Sequence, residues 1–381
     1  MKIYLVGGAV RDGLLDLPVT ERDWVVVGSN PEEMLAAGYR RADSEFPVFL
    51  HPESGEEYAL ARTEVKTGPG YKGFQVDYGP HITLEQDLRR RDLTINALAQ
   101  DDKGQLIDIC GARDDLDKGM LRHITNAFTE DPVRLLRVAR FAAKLGCWGF
   151  RVAHGTHGLM KTMAASPELT SLNAERIWRE MSAAFATPQP WRFFQVLHAC
   201  GALQRLLPEV AEELVTTAHD SSQDSDFMAP LKRVTRQSEA IAVRCGVALY
   251  AAARRLDHAD HWMRNLRIDK QSTQLLQDLL HFDRLSLDAS QRESLLRFVS
   301  QLKPQQQALR FRYFVEAAEG LWPRRMQLLL PYLQAAAEVL ASPQPEELAK
   351  SGLQGRALGD ALFAWRLSRL NELASRFEVA N

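Results

Sequence analysis

The sequence predicts an α+β chain: a small mixed sheet with helices to one side, followed by an all-helical remainder. Three observations carry that expectation. In roughly the first 110 residues, short apolar or alternating runs are separated by turn residues. From about residue 123 onward the apolar positions recur at helical spacing, with few β-branched runs. The length of 381 residues is enough for two or more domains.

Taken in order, Lys2 to Val6 reads as a strand that ends in the paired glycines Gly7 and Gly8. A helix is expected over Val10 to Leu15, a second strand over Asp23 to Val27, and a helix after Pro31, over Glu32 to Ala37. Val48 to His51, Glu57 to Arg62 and Leu93 to Gln100 read as further strands, and Asp101-Asp102-Lys103-Gly104 as a tight turn into Gln105 to Ile109. Thr63 to His81, rich in glycine and polar residues, reads as a surface loop. Beyond it, Pro132 to Leu145, Ala174 to Phe185, Trp191 to Cys200 and most of 230–381 show helical periodicity, with a polar stretch from Ala218 to Asp226 as a loop or linker. No internal repeat is visible.

Composition sets the outer bounds. Hydrophobic residues make up 45% and charged residues 25%, values of an ordinary soluble protein, and no apolar run reaches membrane-spanning length. The glycine motif follows Val6 at once, which leaves no room for a signal peptide. Cys110, Cys147, Cys200 and Cys245 are scattered without a C-x-x-C, so neither a zinc site nor a disulfide framework is expected, and a reduced cytoplasm fits. The net charge of −2 does not advertise nucleic-acid binding, although a local basic face is compatible with an acidic remainder.

The first 28 residues carry the chemistry. Gly7-Gly8-Ala9-Val10-Arg11-Asp12 closes the first strand, and Glu21 and Asp23 open the second. Side chains two apart on a strand share a face at roughly 6.5–7 Å spacing. Two carboxylates so placed suit Mg²⁺, and a glycine turn lets phosphates approach the backbone. Arg11 offers a charge-assisted fork to phosphate oxygens, while Asp12 reads as structural. This set suits nucleotidyl transfer by a two-metal mechanism. Later, Asp131-Pro132 reads as a capped helix start, with Arg134, Arg137 and Arg140 following at three-residue steps along one side.

Four motifs in order resemble the bacterial class II tRNA nucleotidyltransferases, the CCA-adding branch of the polymerase β-like superfamily. They are GGAVRD, then RDWVVVG, then Arg90-Arg91-Asp92-Leu93-Thr94-Ile95-Asn96-Ala97, then Glu130-Asp131-Pro132-Val133-Arg134. The resemblance implies a nucleotidyltransferase head over 1–122, a helical neck over 123–205 and a helical, tRNA-binding body and tail over 206–381. It implies catalysis and metal binding by Glu21 and Asp23 with Mg²⁺ as cofactor, CTP and ATP as substrates and tRNA as partner, with no membrane or protein partner. Gly8, Arg11 and Arg91 would hold the nucleotide, with Gly7 beside them. Asp131 and Arg134 would select the base, and Arg137 and Arg140 would bind phosphate or ribose. Glu21 departs from the family's D-x-D, and its extra methylene shifts the carboxylate by more than about an ångström. The 63–81 loop corresponds to a segment that assists the switch from CTP to ATP, and the helix opening at Asn173 to one that supports the nucleotide-binding helix.

Two rivals are weaker. Poly(A) polymerases of similar head carry a glycine-arginine-arginine-phenylalanine segment where this chain reads Gly38-Tyr39-Arg40-Arg41-Ala42. A tRNA binder disabled at Glu21 would not be expected to keep Arg11, Asp23, Arg91, Asp131 and Arg134. His219-Asp220 and Asp257-His258-Ala259-Asp260-His261 lack the remaining pattern of an HD phosphohydrolase, so no such activity is expected.

Overall fold

A computed structural model describes residues 1–42, 46–68, 73–218, 228–350 and 352–379. The chain divides into two compact units, Met1–Pro208 and Glu209–Asn381. The first unit opens with β1 (Lys2–Val6), α1 (Gly8–Leu14), β2 (Asp23–Val27), α2 (Pro31–Ala36), β3 (Arg40–Arg41), β4 (Val48–Leu50) and β5 (Glu57–Leu60). It continues with β6 (Arg62–Lys66), β7 (Phe74–Tyr78), α3 (Leu84–Arg89), β8 (Leu98–Gln100), β9 (Leu106–Asp108), α4 (Ala112–Asp117) and β10 (Met120–Leu121). Among the described residues, seven strands make one mixed sheet in the order β3-β4-β5-β2-β1-β8-β9.

Alternation along the strands builds two cores, one on each face. Val6, Val25 and Ala99 pack with Leu88 of α3 on one side, and Val26, Phe49, Tyr58 and Leu60 pack with Met34 of α2 on the other. Helices therefore cover both faces of the sheet rather than the one expected. The register of β1 against β2, Val6 opposite Asp23, places the glycine turn beside the acidic start of β2.

The expected strand ends differ for local reasons. Glu21 precedes β2 instead of lying on it, because β1 stops at Val6 and leaves Glu21 without a partner strand. The 93–100 run is broken by a 3₁₀ turn over Thr94–Asn96, where the Thr94 hydroxyl donates to Asp115 and the Asn96 amide to Asp92. The 63–81 loop is largely the hairpin β6–β7, paired from Arg62↔Tyr78 to Lys66↔Phe74; its residues 69–72 lie outside the described set. Lys66 joins Glu168 at 2.5 Å.

The rest of the unit is helical: α5 (Val133–Leu145), α6 (His154–Ala165), α7 (Pro167–Thr170), α8 (Ala174–Phe185) and α9 (Trp191–Ala199). One short exception to the all-helical expectation is β11 (Arg151–Val152), parallel to β10. Helices α8 and α9 both pack on α5, whose Leu135, Leu136, Val138 and Ala139 are fully buried. In the second unit, Ile241–Arg254, Lys270–Leu285 and Ala308–Leu321 pack together, with Phe282, Phe298 and Phe314 in mutual ring contact. His219-Asp220 lies outside the described residues, and the Asp257–His261 stretch leads into the helix Ala259–Asn265. Among the described residues no helix is long and apolar enough to cross a membrane.

Candidate active site

The chain reverses at Gly7, whose φ of 69° is a conformation that glycine adopts without strain. Its N–H donates to the Leu98 carbonyl at 3.0 Å, and a Cβ there would lie 2.9 Å from Nη1 of Arg91. The turn thus accommodates a guanidinium as well as a change of direction. From it, α1 carries Arg11 into the interior, where only 3% of the residue is exposed. Arg11 donates to Asp12 and to Asn96, and burial lowers its pKa against the opposing pull of Asp12.

Across the turn, a cavity of about 670 Å³ is lined by Gly7, Gly8, Arg11, Glu21, Asp23, Arg91, Asp131, Arg134, Arg137 and Arg140, every nucleotide or metal residue that the sequence had singled out. Desolvation in the cavity wall raises the Asp23 carboxyl, Arg91 draws it back, and the charge of nearby Glu21 raises it again. The two carboxylates, Glu21 and Asp23, offer oxygen donors of the kind a hard divalent cation takes.

The third motif is organised by a residue that sequence reasoning missed. Asp87, fully buried on α3, receives Arg90 at 2.8 Å, Arg91 at 3.1 Å and the Arg62 N–H at 3.3 Å. Burial alone would raise its pKa, but Arg90 and Arg91 outweigh that and hold it low. The signal was the spacing: Asp87 stands one helical turn before Arg91. Arg91 keeps a buried Nε that has no hydrogen-bond partner among the described residues.

On α5 the arginine row is half-buried instead of forming a wet face. Arg137 meets Asp92 at 2.6 Å and Arg140 meets Glu180 of α8 at 2.5 Å. One turn further, Lys144 reaches Asp12 at 2.8 Å. Arg134 turns its guanidinium onto the carbonyls of Ala127 and Arg90, at 3.0 and 3.1 Å. Asp131 accepts the Val133 N–H at 3.1 Å on one oxygen and Arg176 of α8 at 2.7 Å on the other. The support expected from the Asn173 helix is thus made by Arg176 and Glu180, one turn apart. The cavity lining carries nine basic and seven acidic side chains, a small positive excess in a chain whose net charge is −2.

A family described as the poly A polymerase head domain matches residues 3–122, and one described as the probable RNA and SrmB-binding site of polymerase A matches 149–214. The multifunctional CCA protein of Pseudomonas paraeruginosa PA7 is 42% identical over 97% of this chain and 98% of its own length. The CCA-adding enzyme of Pseudomonas entomophila L48 is also 42% identical, over 99% of this chain and all of that protein. The chain belongs to the CCA-adding, or tRNA nucleotidyltransferase, family. Solved CCA-adding enzymes share its fold. The Bacillus stearothermophilus CCA-adding enzyme in complex with CTP superposes with a TM-score of 0.68 at 21% identity, over 97% of this chain and 89% of that one. The Thermotoga maritima CCA-adding enzyme complexed with tRNA gives 0.64 at 20% identity, over 100% and 91%.

Proposed function

We propose that the protein adds C, C and A in turn to the 3′ end of tRNA, taking CTP and ATP and using no nucleic-acid template. The observation that carries this reading is the convergence on one cavity of an acidic pair, a glycine turn, an arginine row and the Asp131–Arg134 pair. Within this reading 1–122 is the catalytic head, 123–205 the nucleotide-selecting neck, and 206–381 the body and tail that hold tRNA by shape and phosphate contacts.

Glu21 and Asp23 would hold Mg²⁺, with substrate phosphates and water completing its shell. The chemistry a metal held there would supply is a lowered pKa for the attacking 3′ hydroxyl and charge neutralisation of the departing pyrophosphate. The protein's own part is orientation. Gly7 and Gly8 admit the triphosphate to the backbone, and Arg11 and Arg91 line the same cavity as its cationic side chains. Arg137 and Arg140 supply charge-assisted donors while Asp92 and Glu180 set their direction.

Base choice follows from donor pattern. Each oxygen of an ionised carboxylate accepts about two hydrogen bonds, so Asp131, engaged by Val133 and Arg176, still accepts an exocyclic amine. Cytosine and adenine both present that amine. Arg134 donates to the adjoining ring nitrogen and, in cytosine, the carbonyl oxygen. Uracil and guanine present the opposite pattern and leave buried groups unpaired.

The test is incorporation into three tRNAs that end before CCA, after C and after CC, with CTP, ATP, both, or UTP and GTP. Addition of C, C and A followed by arrest is the expected result. Unlimited A addition would make the protein a poly(A) polymerase, and no incorporation would leave a tRNA binder.

A further inference from the structure

We propose that Phe141 is a positioning residue of the triphosphate site: its ring holds the guanidinium groups of Arg11 and Arg140 in place for a polyphosphate. The inference rests on the nucleotidyltransferase reading and adds a residue to it. Phe141 lines the same cavity and is 5% exposed. The guanidinium carbon of Arg140 lies 4.6 Å from the ring centroid, that of Arg11 5.1 Å, and that of Arg137 6.0 Å. Three arginines from two helices therefore share one aromatic side chain.

Such a cluster needs a physical explanation, because like charges at this range repel. Arg140 indeed lowers the pKa of Arg11. Part of the answer is that each cation has its own carboxylate: Asp12 for Arg11, Asp92 for Arg137 and Glu180 for Arg140. Those carboxylates, with Asn96 on Arg11, hold the guanidinium groups by hydrogen bonds, and the ring adds a contact of a different kind. Its negative face attracts a weakly hydrated guanidinium, which favours positions over the ring. An aliphatic side chain of similar volume fills the space without that attraction. The arginines are consequently pre-arranged before the polyanion arrives, which reduces the ordering needed on binding.

Asp131 and Arg134 have their own supports at Arg176, Ala127 and Arg90, whereas the cation contacts of Phe141 are with Arg11, Arg137 and Arg140. Its effect should fall on phosphate binding and spare base choice. The experiment compares wild type with Phe141→Leu, Phe141→Met and Phe141→Tyr. The readouts are KM for CTP and ATP, kcat, KM for tRNA, the CTP-to-UTP preference, melting temperature, and binding of tripolyphosphate in Mg²⁺ buffer.

The expected result is a rise of about tenfold in nucleotide KM and in the tripolyphosphate dissociation constant for the Leu and Met variants. The CTP-to-UTP preference and KM for tRNA stay within about twofold of wild type, and the Tyr variant binds tripolyphosphate like wild type. Equal tripolyphosphate binding by wild type and both aliphatic variants would overturn the proposal. So would a loss that Tyr does not rescue. If only Leu lowers the melting temperature, the better-folded Met variant decides. A wild type that adds no nucleotide and binds no tripolyphosphate would instead overturn the functional reading on which the proposal stands.

Discussion

Arg137 donates from Nε to Oδ2 of Asp92 across 2.6 Å, joining two motifs that lie 45 residues apart in the chain. Asp92 also accepts from the Leu93 N–H at 2.9 Å and from the Asn96 amide at 3.0 Å. The carboxylate is 5% exposed and the guanidinium 37%. Replacing Arg137 by methionine leaves an unpaired buried charge, so a loss of about 2–3 kcal/mol in urea-unfolding stability is expected, less than for a fully buried pair. The doubly substituted Asp92→Asn, Arg137→Met chain should recover part of it.

The same carboxylate gives stability a pH dependence. Burial would raise its pKa, but Arg137, Asn96 and the Leu93 N–H hold it well below the usual carboxylate range. A depressed acid contributes fully above its unfolded value, about 3.9, and its contribution fades as pH falls through that value toward the folded one. Asp87 is shifted in the same direction. Unfolding midpoints should therefore be flat from neutral pH to about 5 and drop steeply below about 4. Asp92→Asn should flatten that drop. An equally steep drop in the variant would assign the acid lability to other groups.

Gly7→Ala meets two obstacles, a left-handed backbone and a guanidinium 2.9 Å from the new Cβ. A stability loss of about 1–2 kcal/mol is expected. Displacement of Arg91 should also raise KM for both nucleotides, whereas KM for tRNA should hold. Gly28→Ala, at a φ of 74° with open space around it, supplies the comparison of strain without that clash.

Asp131→Ala removes the acceptor for the exocyclic amine. The ratio of kcat/KM for CTP over UTP should fall by about a hundredfold or more, because discrimination against a missing hydrogen-bond partner is lost. Competition between the two nucleotides on a tRNA lacking CCA measures it directly.

Glu21 should be a working ligand with an imperfect reach. Glu21→Gln should lower kcat by roughly 10²–10³-fold with tRNA binding unchanged. Glu21→Asp should match or exceed the wild type, since the shorter arm restores the family's D-x-D spacing. A slower Asp variant would show that the loop before β2 has adjusted to the longer side chain.

Much of this was readable in the sequence because it depends on residues near one another. The glycine turn, the Asp131–Pro132 helix start and the period-three arginines are local patterns with local causes. The 63–81 segment was misread for the complementary reason: its glycines signal turns, but the strands on either side exist only through pairing of Arg62–Lys66 with Phe74–Tyr78. The break at Thr94–Asn96 likewise depends on Asp115, twenty-one residues away from Thr94.

By itself the sequence determined the order of motifs, the passage from sheet to helix, and the residue types that phosphate, base and cation demand. Those follow from periodicity and side-chain chemistry, which travel with the chain. Only the tertiary structure decided which charge answers which. Arg137 was free on paper to face phosphate alone; folding couples it to Asp92. Asp87, Glu180, Arg176 and Phe141 acquired their roles in the same way. A buried charge must find a partner, and which partner lies within reach is set by packing between distant segments, not by neighbours in sequence.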